Sequence, residues 1–461
     1  MTSVQETAER ALGFGRAGGS YVAIVDETAA AHLRWARNAL TSNGSTRVRD
    51  LTVVAFVGAG AGVAAGAVSL GGAADDDALR ELVRAAERAA EHAGPAPDAA
   101  PPVRPGPDDP GWERPPEEVT VDALRGAGAG LGALLARFRA AGRELYGYAE
   151  QQARTTYLAS STGLRRRHAQ RTALADLTAR DRDGRSTWDG TGGEDLSDLD
   201  LHAAGDRLAD RLAWAGRRLP RPPGRYEVLL SPACVADLMM HVYLAAGATA
   251  AADGGTVFSR PGGGTRIGDR LSALPLTLSS DPAEPGLRCA PFVVARSSSA
   301  VRSVFDNGLP LARTDWIAGG RLEALVQTRR SAADSGRPLT PEVDNLTLRG
   351  PGRATLPEMV AGTRRGLLVN SLWYLRDLDP RQLLLTGVTR DGVYVVEDGE
   401  VVGEADDFRF NESPVALLDR VAEAGATERT MPREWGDYFT RTAMPPLRIA
   451  DFAMSAVSRW R

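Results

Sequence analysis

The sequence predicts an α+β protein in two parts: an N-terminal antiparallel sheet with packed helices, then a β-rich part forming a curled sheet or open barrel. Three observations carry this. Four apolar or partly alternating runs of strand length precede residue 71, and an amphipathic helical pattern follows them. A proline-rich connection over about residues 93–119 separates that unit from a second set of helix and strand patterns. Beyond residue 246 short strand patterns dominate, and no helical pattern longer than about a dozen residues is evident before Pro414.

In the first part, Tyr21–Val25, Leu33–Asn38, Val48–Val57 and Val63–Leu70 read as four short strands of an antiparallel meander, with Thr41–Thr46 as a turn. After Asp75-Asp76-Asp77, the residues Leu79, Leu82, Val83, Ala86 and Ala90 recur at helical spacing, and the acidic start suits the helix dipole. The prolines that follow remove backbone donors and block helix, so the connection runs extended over the surface. A second helix spans Val121–Ala140. Glu144–Ala153, Arg154–Ser160, Leu164–Gln170 and Thr172–Arg180 read as further strands, and Leu201, Leu208, Leu212 and Ala215 mark a third helix over Leu199–Leu219. The segment RLPRPPGR places a domain boundary near 221, giving an N-terminal domain 1–220 and a C-terminal domain 221–461.

The second part opens with the strand Tyr226–Leu230, which runs into Ser231-Pro232 and a helix over Ala233–Ala246. Ser is a good N-cap, and Pro suits the first helical position. Leu322–Gln327, Leu367–Trp373, Leu383–Thr389 and Val393–Glu397 read as strands, and Pro414–Glu423 as a helix.

One uncharged stretch, residues 51–74, is long enough for a membrane span and holds Gly58, Gly62 and Gly66 at GxxxG spacing. It is mostly Gly and Ala and lacks aromatic belts, so it reads as two strands and a glycine turn. Gly60, Gly62 and Ala65 also satisfy GxGxxA. Gly66, Gly71 and Gly72 interrupt the helix that a dinucleotide loop should open, which sets that reading aside.

The 461 residues are 43% hydrophobic and 25% charged, with 55 basic against 59 acidic residues and a formal net charge of −4. No basic stripe marks a nucleic-acid partner. The chain contains no Lys, so its many Arg follow composition rather than phosphate binding. The amino terminus lacks the apolar core of a signal peptide. Cys234 and Cys289 are too few for a disulfide framework and read as reduced thiols of a cytoplasmic protein.

The five histidines, His32, His92, His168, His202 and His241, lie one per segment, and no two are within helical reach. His241 alone lies on the strand-to-helix unit of the second part, where it reads as capped by a backbone carbonyl or facing solvent. Asp406-Asp407 and Glu397-Asp398 read as solvated turn acids rather than an acid/base pair. Neither a GxSxG elbow nor a phosphate-binding GxxxxGK[ST] loop is present. The residues by themselves offer no catalytic and no metal site.

The order of EVLLSPACVADLM, GGTVFS, PLTLSSDP, VFDNGLPLARTDWIAGGRLEALVQTRRSA, NLTLRG, RRGLLV, LTGVTRDGVYVVEDGEVVGEADDFRFN and MPPLRI resembles the TldD/PmbA (TldE) family of metallopeptidase-related proteins. That resemblance implies two kinds of subunit. In the TldD-like kind the helix carries HExxxH, two zinc-binding His and a Glu general base, with a further Cys ligand near the carboxyl terminus. If His241 stood for the first ligand, Val242 and Ala246 would fill the base and second-ligand positions; in a neighbouring register Met239 and Leu244 replace the two His. The late segment DYFTRTAMPPLRI has no Cys.

The resemblance therefore implies a noncatalytic, metal-free PmbA/TldE-like subunit of a heteromeric zinc peptidase acting on unfolded or precursor peptides. Zinc would sit in a TldD-like partner, and no membrane or nucleic acid is involved. Phe305-Asp306-Asn307-Gly308, usually richer in acid in the family, reads as a turn. Two other readings compete: a stand-alone hydrolase with an unrecognised site, and a peptide-binding scaffold without a proteolytic role. Substrate-contact residues carry no motif and stay unassigned.

Overall fold

The computed structural model describes residues 3–58, 62–106, 109–436, 439 and 441–458. In the N-terminal half the elements are α1 (Val4–Gly13), β1 (Ser20–Ala36), β2 (Ala39–Val57), β3 (Ala64–Gly71), α2 (Asp76–Ala93), α3 (Leu124–Ala140), β4 (Glu144–Ser160), β5 (Arg165–Arg180), β6 (Ser186–Gly193) and α4 (Leu201–Trp214). The strands form one antiparallel sheet in the order β3-β2-β1-β4-β5-β6.

The sheet is built from fewer, longer strands than the sequence suggests. The runs Tyr21–Val25 and Leu33–Asn38 belong to one strand, β1, and each of the two pairs of runs between 144 and 180 also merges. Strands paired on both sides carry intervening Ala, Thr and Arg residues through, although these alone are poor strand signals. The expected turn at Thr41–Thr46 lies inside β2. The chain reverses instead at Arg37-Asn38, both left-handed with φ of 49° and 61°. Asn38 fixes this position: its Oδ1 accepts the Leu145 N–H at 2.8 Å and its Nδ2 donates to the Arg143 carbonyl at 2.7 Å.

All four helices pack on one face. Val4, Ala8, Leu79, Val83 and Ala86 of α1 and α2 cover Ala23, Val25, Leu51 and Val53. Leu131, Leu134, Phe138, Leu208 and Leu212 of α3 and α4 cover Ala31, Leu33, Trp35, Ala149 and Leu177. Gly66 permits the closest approach, since a Cβ there would lie 2.2 Å from the Ala90 nitrogen and 2.3 Å from the Ala86 carbonyl of α2.

The uncharged stretch is thus the end of β2 and β3, with Gly66 against a helix rather than in one; Gly60 lies outside the described residues. No helix among the described residues is long and apolar enough to cross a membrane. The proline-rich connection is irregular, with Trp112 buried edge-on against Tyr157 at 5.5 Å.

The C-terminal half contains β7 (Gly224–Leu230), α5 (Pro232–Leu244), α6 (Ala248–Ala252), β8 (Thr277–Ser280), β9 (Thr314–Ala318), β10 (Arg321–Leu322), α7 (Arg329–Ser335), β11 (Leu346–Arg349), α8 (Leu356–Ala361) and β12 (Arg365–Asp379). It continues with β13 (Leu384–Glu397), β14 (Glu400–Glu404), β15 (Phe408–Glu412), α9 (Pro414–Asp419), β16 (Val421–Ala424), β17 (Glu428–Thr430), β18 (Thr442–Met444) and β19 (Leu447–Val457). The order β12-β7-β19-β15-β13 closes through β12–β13 pairing into a five-strand barrel, with β14 and β16 as extra strands. The predicted curl therefore goes as far as closure. A second sheet runs β10-β9-β8-β11-β18-β17.

Three local expectations differ here. Of the run Leu322–Gln327 only Leu322 belongs to a strand, as the end of β10. Leu383–Thr389 and Val393–Glu397 join in β13, because left-handed Asp391 (φ 55°) and Gly392 kink the strand without ending it. The last helix stops at Asp419, since Val421 pairs with Ile449 in the barrel.

The face of the first sheet without helices meets the second half where Val22, Ile24, Val54 and Leu158 pack on Phe292, Val293, Val304 and Phe305, and again at β6, where Trp188 lies against Arg433.

Candidate functional site around the buried helix

Helix α5 lies in the largest apolar core, between barrel and second sheet. The Ser231 hydroxyl accepts the Cys234 N–H at 3.3 Å and donates to the Asn370 carbonyl at 2.7 Å, which ties the cap to β12. Every residue from Pro232 to Tyr243 is buried. A helix apolar all round belongs in a core, and two side chains, Asp237 and His241, break its apolar character.

Asp237 is 0% exposed. One carboxylate oxygen accepts the N–H groups of Glu434 at 2.9 Å and Trp435 at 3.3 Å, and the other accepts that of Arg433 at 3.1 Å. Burial pushes this carboxyl up to about 8, against the pull of the three donors. The loop so held carries Arg433, whose guanidinium pairs with Asp391 and donates to the Ser371 hydroxyl at 2.5 Å. It lies between two indoles, 5.1 Å from the Trp188 ring and 5.3 Å from the Trp373 ring. Burial acts to raise Asp391, but Arg433 and the Ser186 hydroxyl hold it below the usual carboxylate range. Because Trp188 and Ser186 belong to β6 while Trp373 and Asp391 belong to β12 and β13, this cluster joins the two halves. Asn370 adds bonds to the Trp188 and Asp391 carbonyls at 2.9 and 3.1 Å.

His241 neither caps a carbonyl nor faces solvent, contrary to the expectation. It is 8% exposed and packs edge-on against Trp435 at 5.3 Å. Its Nδ1 lies 3.9 Å from Asp377, and its Nε2 has no hydrogen-bond partner among the described residues. Burial lowers its pKa, against the pull of Asp377 and Glu434, which favours the neutral ring. Met239, Val242 and Ala246 are buried among apolar side chains and Leu244 is half-buried, so the motif positions offer zinc at most the one nitrogen of His241, and Asp237, one turn earlier, already spends both oxygens on backbone N–H groups. The residues of α5 do not fit a metal. Among the described residues no group of three His, Cys, Asp or Glu side chains is arranged to hold one.

The other candidate residues lie apart. His32 stacks on Tyr148, His92 bonds the Arg88 carbonyl, His168 meets Gln170, and His202 lies 3.2 Å from Asp206. Glu397 pairs with Arg221, and Asp398 sits in a turn with φ 49°. Asp406 pairs with Arg218. Asp407 departs from the solvated reading: it is partly buried, and burial with nearby Asp391 pushes it up to about 7. Cys234 and Cys289 are free and buried, and burial raises both thiols to about 12, far from a nucleophile's range. Phe305–Gly308 forms a tight turn in which Asp306 takes Arg329 and Asn307 bonds Ala295 through both its side-chain oxygen and nitrogen.

At the amino end of α5 opens a cleft of about 870 Å³, lined among others by Trp188, Arg207, Trp214, Ser231, Glu428 and Arg429. Its walls include β6 and β17, each the terminal strand of its own sheet. Sequence reasoning missed Asp237, Arg433 and the two tryptophans. One signal was available: a lone Asp in the apolar run ACVADLMMHVYLAAG calls for a buried partner.

Residues 223–456 match the family profile described as the PmbA/TldA metallopeptidase C-terminal domain. Among solved structures, TldE from Thermococcus kodakarensis superposes with a TM-score of 0.77 at 17% identity, covering 97% of this chain and 98% of that one. A candidate modulator of a DNA gyrase from Thermotoga maritima MSB8 gives 0.75 at 15% identity, covering 97% and 99%. A similarly described protein from Bacteroides thetaiotaomicron VPI-5482 gives 0.74 at 14%, covering 98% of each chain. Comparison with curated proteins yields no match. At these identities the superpositions speak for the fold, and the profile match over half of the sequence speaks for descent: this chain belongs to the PmbA/TldD family of metallopeptidase-related proteins, which includes TldE.

Proposed function

We propose that this chain is the noncatalytic subunit of a heteromeric zinc peptidase that processes unfolded or precursor peptides, its TldD-like partner supplying the metal. One observation carries the reading. The α5 positions that would hold zinc ligands and base are filled by Met239, Val242, Leu244 and Ala246, and the loop over the helix is held by Asp237 through backbone N–H groups rather than by a metal. Hydrolysis through a bound water needs an open coordination position and a base, and this helix supplies neither. The chain's part is then to wall a chamber and to offer peptide contacts. The cleft beside α5, bordered by the terminal strands β6 and β17, suits backbone pairing by an extended peptide with little sequence preference.

The test is zinc content and cleavage of an unfolded peptide by the chain alone and by the chain co-expressed with a TldD-like protein of the same genome. A metal-free, inert chain and an active zinc-bearing pair support the reading. Stoichiometric zinc or chelator-insensitive cleavage by the lone chain overturns it. Peptide binding without cleavage, partner present or absent, favours a scaffold.

A further inference from the structure

On the helix-free face of the first sheet, rings and guanidinium groups alternate along a line that crosses into the barrel. Strand alternation puts Leu33, Trp35, Leu145, Ala149, Leu177 and Ala179 under α3 and α4, so Arg34, Tyr146, Tyr148, Asp176, Thr178 and Trp188 take the other face. The registers Arg34–Tyr148–Asp176 and Tyr146–Thr178–Trp188 set them in adjacent rows. From β1 to β6 such a row covers three inter-strand spacings, about 14 Å. Arg34 lies 5.4 Å over Tyr148, on which His32 also stacks, and Arg180 lies 5.6 Å over Tyr146. Trp188 ends the rows. Arg433 bridges it to Trp373, where Arg390 stacks at 6.0 Å, and next to it Arg376 lies 4.3 Å over Tyr374.

The line is open at both ends and buried at Trp188 and Arg433 between them; at the barrel end Arg376 pairs with Glu434 and Arg390 lies 3.6 Å from Asp391, whereas the donors at the first-sheet end are unspent. Arg34, Arg180 and Arg390 are exposed. The carboxylates on the same face are already engaged by neutral donors: Glu144 accepts the Tyr146 hydroxyl at 2.6 Å, Glu150 accepts that of Tyr148, and Asp176 accepts the Trp188 indole N–H at 2.9 Å. Among the described residues Arg34 and Arg180 have no carboxylate and no hydrogen-bond acceptor; each lies only over its tyrosine. At the barrel end, Tyr374 is 61% exposed and left-handed with φ 58°, a conformation rare for an aromatic residue. Glu434 accepts its N–H at 2.8 Å, which holds the ring outward. Tyr374 sits where β12 shifts register against β13 between Trp373 and Arg376, and the bulge turns the ring out to solvent beside Arg376.

We propose that this stripe binds an extended polypeptide laid across both halves of the chain. The exposed guanidinium donors of Arg34 and Arg180 are free to take acceptors from outside the chain, and an extended polypeptide presents a carbonyl at each residue, about 3.4 Å apart, along with its carboxylates. The exposed Tyr374 ring offers apolar area to side chains of any identity, so the surface tolerates sequence. Its path ends at Trp188, which also lines the cleft beside α5. The proposal deepens, and rests on, the peptide-processing reading.

The test is binding of fluorescein-labelled, reduced and carboxymethylated lactalbumin to the full chain, alone and paired with a TldD-like partner, followed by anisotropy. The variants are Arg34→Gln with Tyr148→Ala, Arg180→Gln, and Tyr374→Ala, with thermal unfolding and co-purification recorded for each. Weakening of at least fivefold at both ends of the stripe, with unfolding temperature and pairing unchanged, is the result expected. Wild-type affinity in all variants overturns the stripe while leaving the peptide-processing reading intact. Loss of pairing overturns it in favour of a subunit contact. If the wild-type chain and pair bind no unfolded polypeptide, the peptide-processing reading itself fails and the stripe with it.

Discussion

Asp237 and Arg433 are joined through one short loop: the aspartate accepts the backbone N–H of Arg433, and the arginine's guanidinium reaches Asp391 between the rings of Trp188 and Trp373. The acid inside the helix thereby sets the position of the cation that joins the two halves.

Removing the anchor should free the loop. Asp237→Ala leaves three N–H groups without their acceptor, and Asp237→Asn turns an amide donor toward one of them. Each unsatisfied buried group costs about 1–3 kcal/mol. Both variants should unfold at lower temperature and be cut by protease near residues 431–436; an unchanged melting temperature would count against the anchor.

Removing the cation should cost more. Arg433 and Asp391 are 10% and 6% exposed at their side chains, and breaking a buried pair by losing one partner costs about 3–5 kcal/mol. Arg433→Ala is expected to fall in that range by urea titration. Arg433→Lys should recover only part, because an ammonium cannot lie flat between two indoles. Full recovery by Lys would show that charge alone matters.

The pH dependence follows from the raised carboxyls. In the unfolded chain these groups lose their protons near pH 4, whereas in the folded chain Asp407 holds its proton to about 7 and Asp237 to about 8. Their stabilising contribution is therefore complete below about pH 4 and is lost as pH rises through 7 to 8. His168 and His241, both lowered by burial, act in the opposite sense, contributing above their unfolded pKa and failing as pH falls. Urea midpoints at about pH 6, 7 and 8 should decline, and Asp407→Asn should flatten that decline without altering the acid side. An identical slope in the variant would assign the effect elsewhere.

Gly66→Ala tests the sheet-to-helix contact. The added carbon would meet backbone atoms of α2, which cannot rotate away as a side chain can. A loss of about 1–3 kcal/mol is expected, measured by chemical unfolding. A neutral result would mean that α2 rides freely over β3.

Much of the fold was legible. The Asp75 cap and the spacing of Leu79 to Ala90 locate α2, and the Ser231-Pro232 cap locates α5, because capping and helical periodicity are local properties. The β1–β2 turn was not, because Asn43-Gly44 is an equally good local signal and only the bonds from Asn38 to β4 choose between them. His241 looked like an ordinary helix histidine, and Asp237 went unread.

By itself the sequence determined the α+β class and the two helices that its caps declare, both of which depend on which residues stand next to one another. Tertiary structure alone decided that the curled sheet closes, that Asp407 is partly buried while its neighbour pairs with Arg218, and that Arg34 and Arg180 stack on Tyr148 and Tyr146 while Arg433 reaches the Trp373 ring. The reason is physical: cross-strand neighbours are set by register and by what covers each face, and neither is written in local spacing.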